Sequence, residues 1–186
     1  MAVKEEIIRS AKPTSLDNYL DLMPSSGLIM EFGVAEGNTL RIISSKTDRP
    51  VYGFDSFEGL PESWHDLRKG HFACDIPQGL GSNVVLIKGW YENTLKPFLE
   101  EHKDEKIALI HIDCDLYSST KCVFDVFENN FQNGSVVLFD EIIDYGGDLW
   151  KDHEFKAFNE FLDRTGYNAE CVGKHGVHQA GFILSK

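Results

Sequence analysis

The sequence predicts an α/β protein built on a doubly wound, mostly parallel, seven-stranded sheet that ends in an antiparallel hairpin. Short apolar runs alternate with segments of helical periodicity between residues 27 and 164, which is typical of βαβ units. Residues 166–186 then hold two strand-like runs separated by the turn sequence GKHG, which predicts the hairpin. A length of 186 residues fits one domain, so we expect a single domain over residues 1–186.

The elements follow in order along the chain. Residues 1–24 are predicted to form an N-terminal helical segment, and residues 56–82 form a long irregular stretch after the second strand. Predicted strands cover residues 27–33, 50–55, 83–89, 106–113 and 134–140, and predicted helices cover residues 38–46, 91–102, 117–130 and 152–164. In sheets of this kind ligands bind beside the carboxyl ends of the strands, so the functional residues are expected there.

Composition excludes several classes of protein. The 18 basic and 30 acidic residues give a net charge of −12 without a Lys/Arg cluster, which argues against a nucleic-acid partner. No apolar run approaches the ~20 residues of a membrane span, and the N-terminus lacks the apolar core of a secretory signal. The expected location is therefore the cytoplasm. The four cysteines lack zinc or disulfide spacing, which favours reduced thiols.

The first two strands end in residues that favour a nucleoside ligand. Glu31, Gly33 and Gly37 form E-x-G-x-x-x-G, where glycines permit a tight turn beside a helix N-terminus. Asp55 follows Gly37 by 55 − 37 = 18 residues, close to the spacing at which a carboxylate binds a ribose diol. Each feature alone is also compatible with a simple turn or cap. Together they favour a nucleoside-containing ligand.

The third strand ends at Gly89 and Trp90. The glycine permits a close backbone approach, and the indole of Trp90 offers a flat surface for an adenine. Simple packing of this tryptophan at a helix start is the alternative.

Carboxylates at the ends of the fourth and fifth strands predict a metal site. Asp113 precedes Asp140 by 140 − 113 = 27 residues and Glu141 by 141 − 113 = 28. Adjacent parallel strands would bring these side chains together, since neighbouring strands lie about 5 Å apart. Oxygen ligands favour Mg²⁺, or Mn²⁺ or Ca²⁺, although any one carboxylate is equally a helix cap in water. Asp115 is expected on the same side of the chain as Asp113.

Five stretches carry a resemblance to a known family. They are LIMEFGVAEGNTL, VYGFDSFEGLPE, VVLIKGWYENTL, LIHIDCDLYSSTK and GSVVLFDE, between residues 28 and 141. In order and spacing the chain resembles class I S-adenosylmethionine-dependent methyltransferases, and more narrowly the macrocin and mycinamicin sugar O-methyltransferases.

The resemblance implies roles for named residues. The methionine end of S-adenosylmethionine would lie at the turn from Glu31 to Gly37, with Asn38 beginning the next helix. Further cofactor contacts would come from Asp55 to the ribose, from Ser56, Gly89 and Trp90 around the adenine, and from Asp113. Mg²⁺ would be held by Asp113, Asp140 and Glu141, and Asp113 and Asp115 would be catalytic, with Asp115 as the general base.

The chain also departs from this family. Family members usually end the fifth strand in Asp-Asp, whereas this chain has Asp140 followed by the longer Glu141. The antibiotic-modifying members are longer and carry lids, so their substrates are not transferred. Residues 56–80 and 142–158 are expected to form the walls of the acceptor site.

Several functions stay open. The leading hypothesis is metal-assisted methylation of a hydroxyl on a small molecule such as a sugar or glycosylated metabolite, and the nearest alternative is a catechol or other phenol. A nicotinamide-dependent oxidoreductase is disfavoured because G-x-G-x-x-G and Tyr-x-x-x-Lys are missing. A non-catalytic nucleoside-binding module is a further alternative.

His111 is expected to be packed or hydrogen-bonded, and the alternative bases are His153, His175 and His178. Aromatic residues line either the acceptor pocket or a homodimer interface, namely Trp64, Phe72, Tyr145 and Trp150.

Overall fold

The computed structural model describes residues 2–144 and 147–186. Its strands are β1 (Leu28–Phe32), β2 (Val51–Asp55), β3 (Val84–Lys88), β4 (Ile107–Ile112), β5 (Val136–Phe139), β6 (Asn168–His175) and β7 (Gln179–Ser185). Its helices are α1 (Glu5–Ser10), α2 (Leu16–Leu20), α3 (Asn38–Ser45), α4 (Tyr91–Glu101), α5 (Tyr117–Phe127) and α6 (Glu154–Thr165), with a 3-10 turn over Leu149–Asp152. Tyr145, a predicted lining residue, lies outside the described ranges.

The seven strands form one sheet in the order β3-β2-β1-β4-β5-β7-β6. Strands β1 to β5 pair in parallel, whereas β7 runs antiparallel to both β5 and β6. The predicted fold class is confirmed. The strand order changes direction between β1 and β4, so the carboxyl ends of these two strands mark the switch point where such sheets bind ligands.

The sheet has a hydrophobic layer on each face. One layer is rich in phenylalanine, with Phe32 and Phe54 packed in a stack 5.0 Å apart and Phe124 stacked on Phe161 at 4.6 Å. The opposite layer is smaller and places Ile29 and Leu109 beneath residues of α2 and α3. Because both faces are covered, every residue of β1 and β4 is buried, as their unbroken apolar runs predict.

Several boundaries differ from the sequence prediction, and hydrogen bonds explain two of these differences. The hairpin is present, but β6 continues to His175 and the turn comes after GKHG begins. The end of β6 is hydrogen-bonded to the N-terminal segment. The Lys174 N–H donates to the Lys12 carbonyl, and the Thr14 N–H donates to the Lys174 carbonyl. Helix α5 ends at Phe127 instead of residue 130, and the Asn130 amide instead donates to the Glu105 carbonyl.

The N-terminal segment contains the two short helices α1 and α2. Helix α2 begins where the Asn18 N–H donates to the Ser15 hydroxyl, an N-cap of the expected type. Among the described residues, no helix combines the length and the apolar character that crossing a bilayer demands. The expected homodimer, cytoplasmic location and single-domain organisation stay predictions.

Candidate active site

A cleft of about 550 Å³ opens at the carboxyl ends of β1, β2, β4 and β5, and we call it the strand-end cleft. This volume lies in the usual range for small-molecule sites. Of the predicted site residues, it is lined by Gly33, Asp55, Ser56, Gly89, Trp90, Asp113, Asp115, Asp140 and Glu141. The cleft thus brings together residues from the ends of all five parallel strands.

On one side of the cleft, Asp55 connects the turns that follow β1 and β2. Its Oδ2 accepts hydrogen bonds from the backbone N–H groups of Val34 and Ala35, both at 2.8 Å. Its Oδ1 accepts the Phe57 N–H at 2.7 Å. Three backbone donors therefore fix the orientation of this carboxylate, which lines the cleft.

Gly33 joins the end of β1 to the end of β4. Its φ is +91°, and a Cβ added there would lie 1.7 Å from the Asp113 carbonyl oxygen. Only glycine permits this approach. The close contact brings the turn after β1 beside the acidic residues that follow β4.

Three predicted cofactor residues do not reach the cleft wall. Glu31 is 1% exposed within β1, and its Oε1 lies 2.9 Å from His111 Nδ1. Gly37 is buried with φ +77° against Pro77 and Leu80, and Asn38 is exposed at the first position of α3. A direct cofactor contact by these residues stays a prediction.

Residues from β3, α4 and the turn after β2 form another part of the cleft wall. Gly89 has φ +142° and Trp90 is the N-cap of α4, half-buried at the cleft. Ser56 is 6% exposed, and its hydroxyl accepts the Glu58 N–H at 3.0 Å. An aromatic ring and a fixed polar turn therefore flank the Asp55 side of the cleft.

Acidic groups converge on the opposite side. One ligand atom from each of His111, Asp113 and Asp140 lies within 4.8 Å of the others, which confirms that β4 and β5 bring Asp113 and Asp140 together. Glu141 does not belong to this group; its carboxyl is hydrogen-bonded with Asp115. Asp140 also accepts a hydrogen bond from the Gln179 side-chain amide on β7.

Burial and mutual repulsion shift the acidity of these groups. Burial, followed by the charge of Asp140, raises the pKa of Asp115 to about 6. Burial and the charges of Asp115 and Asp140 raise the pKa of Glu141 to about 7. Burial raises the pKa of Asp113 well above its usual range, against the influence of His111. Such shifts are expected where like charges share a poorly solvated site.

His111 and Glu31 form a buried pair behind this acidic side. Burial raises the pKa of Glu31, while the hydrogen bond and charge of Glu31 outweigh burial and raise the pKa of His111. His111 is hydrogen-bonded, as predicted, and its ring also lies beside Asp113 and Asp140.

The donor set fits a hard divalent cation. Asp113 and Asp140 offer oxygen ligands to a common point, and the buried Oε2 of Glu141 has no hydrogen-bond partner among the described residues. A cation bound by Asp113 and Asp140 would relieve their repulsion, and carboxylate oxygens favour Mg²⁺, Ca²⁺ or Mn²⁺.

Comparison with protein families decides the identity of the chain. Residues 30–142 match the family described as Methyltransferase domain. The chain belongs to this methyltransferase family. The match begins within β1, continues through β5 and ends just after Asp140 and Glu141. It therefore includes the residues predicted to bind the cofactor and the metal, whereas the alternative bases His153, His175 and His178 lie beyond it. A search of curated proteins finds no significant match.

Solved structures share the fold of this methyltransferase. CalS11, a calicheamicin methyltransferase, is 24% identical with a TM-score of 0.68, over 91% of this chain and 76% of CalS11. The O-methyltransferase NovP is 19% identical with a TM-score of 0.64, over 92% and 79% of the two chains. MycE, solved with Mg and SAH, is 14% identical with a TM-score of 0.56, over 91% of this chain and 48% of MycE. The expected class I methyltransferase fold is confirmed.

The methyltransferase also contains site residues that sequence reasoning missed. Glu154, at the start of α6, is fully buried, and its Oε1 accepts the Asp115 N–H at 3.2 Å. Glu62 lines the cleft and accepts a hydrogen bond from the Ser118 hydroxyl at 2.6 Å. Because an acidic residue in the first turn of a helix usually faces water, the sequence does not indicate that Glu154 is buried near the site.

The remaining predictions on the cleft wall have mixed outcomes. Trp64 and Phe72 line the cleft, in agreement with a wall formed by residues 56–80. Trp150 is 1% exposed in the core and is not among the lining residues. The alternative bases His153, His175 and His178 are also absent from the described cleft wall.

Proposed function

We propose that this methyltransferase transfers the methyl group of S-adenosylmethionine to a hydroxyl of a small molecule, with assistance from a divalent cation. The acceptor class that we favour is a sugar or glycosylated metabolite. The proposal rests on one observation: Asp55 and the paired Asp113 and Asp140 line the same cleft. The carboxylate proposed to bind the nucleoside and the residues proposed to bind the cation therefore border a single cleft.

Structural neighbours support the choice of hydroxyl and sugar. CalS11 is described as a TDP-rhamnose 3'-O-methyltransferase, NovP as an O-methyltransferase, and MycE was solved with Mg, SAH and mycinamycin VI. These descriptions concern those proteins. They are compatible with the oxygen-rich, metal-suited side of the present cleft.

The donor is assigned to the β1 and β2 side. Asp55 would accept the ribose hydroxyls, because its orientation is fixed by three backbone N–H groups. Trp90 and Ser56 would flank the adenine, and Gly33 would allow the sulfonium to approach the acidic side. The positive sulfonium would then lie near carboxylates, which is electrostatically favourable.

Catalysis is assigned to the β4 and β5 side. Asp113 and Asp140 would hold the cation, with Glu141 or His111 as further candidates. A bound cation would lower the pKa of an acceptor hydroxyl. Asp115 would accept the proton, and its pKa of about 6 keeps it mostly ionised near neutral pH,. Alignment of the hydroxyl with the methyl group would lower the activation free energy further, by up to about 7–11 kcal/mol.

Two measurements test the proposal. Isothermal titration calorimetry with S-adenosylhomocysteine should give saturable binding that the Asp55→Ala variant weakens. Transfer of a ¹³C-methyl group, followed by NMR of the product, should give the chemical shift of an O-methyl carbon. Absence of adenosylhomocysteine binding would refute the proposal, whereas an O-methylated phenol in place of a sugar would keep the reaction and change the acceptor class.

A further inference from the structure

The charge of the cleft restricts the acceptor. Seven carboxyl groups line it, and among the described residues no Lys, Arg or His does so. Resting on the proposed function, we infer that the acceptor carries no phosphate group and is a neutral or ammonium-bearing hydroxyl compound.

The charge balance supports this inference. A divalent cation and the net positive charge of S-adenosylmethionine together offset three of the seven negative charges. A phosphate would still face unpaired carboxylates, and like charges brought together in this way cost several kcal/mol.

The backbone donors at the cleft are either used or lie beside carboxylates. The N–H groups of Val34, Ala35 and Phe57, which lie in the turns after β1 and β2, already donate to Asp55. The N-termini of α4 and α5 border the cleft, but Glu92 lies in the first turn of α4, and Glu62 accepts the Ser118 hydroxyl at the start of α5. Phosphate sites normally combine free N–H groups with Arg or Lys, and no Arg or Lys is among the described lining residues.

Aromatic side chains favour the opposite class of ligand. Phe72 is 50% exposed, and Trp90 is half-buried at the same cleft. Such rings bind the apolar face of a sugar or an ammonium group. The inferred acceptor therefore differs in charge from the nucleotide sugar named for CalS11.

A competition experiment tests the inference. The enzyme is given ¹³C-methyl donor, Mg²⁺ and an equimolar mixture of methyl glycosides, amino sugars, sugar phosphates and dTDP-sugars, and mass spectrometry identifies the labelled products. In parallel, dTDP is titrated into the enzyme loaded with S-adenosylhomocysteine. We expect label only in phosphate-free compounds and no saturable dTDP binding below about 1 mM. Label in a phosphorylated sugar, or micromolar dTDP binding, would overturn the inference.

Failure of the proposed function would have a different signature. In that case S-adenosylhomocysteine itself would not bind during loading, before any acceptor is added. The double variant Glu62→Gln/Glu92→Gln removes two of the cleft carboxylates. It should weaken discrimination against dTDP-sugars, and equal discrimination by this variant and the wild type would count against the inference.

A separate observation concerns Glu154, whose carboxyl is fully buried beside the proposed base. Its Oε1 accepts the Asp115 N–H, and Asp115 has φ +63°. A non-glycine residue rarely adopts this left-handed conformation without support from its surroundings. The geometry points to Glu154 as a positioning residue that holds the backbone of Asp115 in its working orientation.

The surroundings of Glu154 explain how it can remain buried. Burial, reinforced by the charges of Asp115 and Asp113, raises the pKa of Glu154 well above its usual range. Its Oε2 has no hydrogen-bond partner among the described residues. Glutamine has the shape of glutamate and keeps an accepting oxygen, so it provides a matched variant.

Glu154→Gln and Glu154→Leu separate positioning from packing. Glutamine keeps an acceptor for the Asp115 N–H, whereas leucine fills similar space without one. We expect amide hydrogen exchange at Asp115 to be at least about tenfold faster in Glu154→Leu than in Glu154→Gln. We also expect a kcat about tenfold lower for the leucine variant, with the KM for S-adenosylmethionine unchanged.

Two results would overturn this assignment. One is an unprotected Asp115 amide in the wild-type protein, which can be measured even if Glu154→Leu fails to fold. The other is equal loss of kcat in both variants, because glutamine would then fail to rescue the function that the hydrogen bond is said to serve.

Discussion

Acidic side chains line both sides of the strand-end cleft, but the two sides differ in how these side chains are hydrogen-bonded. On the β1 and β2 side, Asp55 is satisfied by three backbone N–H groups. On the β4 and β5 side, Asp113, Asp115, Asp140 and Glu141 lie close together with few donors, and the pKa values of Asp113, Asp115 and Glu141 are raised.

The difference lies in the supply of hydrogen-bond donors. A carboxylate whose orientation is fixed by several N–H partners suits recognition of a hydroxylated ligand. Carboxylates that face one another lack hydrogen-bond partners until a cation or a proton is bound. Under the proposed function, the first side would bind the donor, and the second side would hold the cation and accept the proton.

The largest expected effect is loss of turnover in Asp113→Ala. Removal of a carboxylate from the pair with Asp140 should reduce kcat about 10³-fold, because the cation site loses a ligand. Adenosylhomocysteine affinity, measured by calorimetry, should stay within about threefold of wild type if the two sides are separable. Asp125→Asn, on an exposed helix face, serves as the control. Equal loss of cofactor affinity would contradict the division between the two sides.

Gly33→Ala should disrupt the contact that joins the two sides. The added Cβ would meet the Asp113 carbonyl at 1.7 Å, so the free energy of unfolding should fall by more than about 3 kcal/mol. Gly79→Ala is the matched control, since its φ is +67° but nothing lies within 4 Å of the new Cβ. That control should cost about 1 kcal/mol. Similar urea denaturation curves for the two variants would show that the close approach is unimportant.

Asp55→Asn should affect binding and spare chemistry. An amide cannot accept all three N–H groups and also bind a ribose diol, so adenosylhomocysteine affinity should fall about 10- to 100-fold. The value of kcat at saturating S-adenosylmethionine should change little. Calorimetry measures the affinity and initial rates give kcat. A reduced kcat with normal affinity would contradict this role of Asp55.

The acidic side also predicts a pH dependence of stability. Raised pKa values mean that the folded protein binds more protons than the unfolded chain between about pH 4 and pH 7, so the free energy of unfolding should fall as pH rises,. We expect Asp115 to contribute about 1–2 kcal/mol after allowance for screening. Urea denaturation at pH 5 and pH 7.5 in EDTA measures the fall.

The same two-pH measurement is repeated with saturating Mg²⁺ and with the Asp115→Asn variant, and each should show a smaller fall in the free energy of unfolding. Mg²⁺ should reduce the fall because it favours the ionised carboxylates. Asp115→Asn should reduce it because the titrating group is gone. Stability that rises between these two pH values in EDTA would show that the acidic side is not under repulsion.

Sequence reasoning predicted the sheet and the meeting of Asp113 with Asp140 because both follow from strand periodicity and parallel pairing. It did not predict that Glu141 would pair with Asp115 instead of joining that group. Consecutive residues at a strand end point to opposite sides, so Asp140 faces His111 and Glu141 does not. Asp115 lies beyond β4 in a left-handed turn, where strand alternation no longer sets direction.

The contribution of Glu154 depends on tertiary packing. Residues 154 and 115 are brought together by the packing of α6 against α5, and no local pattern encodes that contact. The glycine turn shows the same limit, because Gly33 is explained by the Asp113 carbonyl. Its sequence motif alone predicted only a tight turn beside a ligand.

The most direct test of the account is the metal dependence of turnover in a single preparation. Methyl transfer to a hydroxylated acceptor is measured before and after removal of divalent cations with EDTA, and again after addition of Mg²⁺, while adenosylhomocysteine binding is followed by calorimetry. The account predicts that turnover is lost on chelation and restored by Mg²⁺, with cofactor binding nearly constant throughout. Turnover that persists unchanged in EDTA would contradict it.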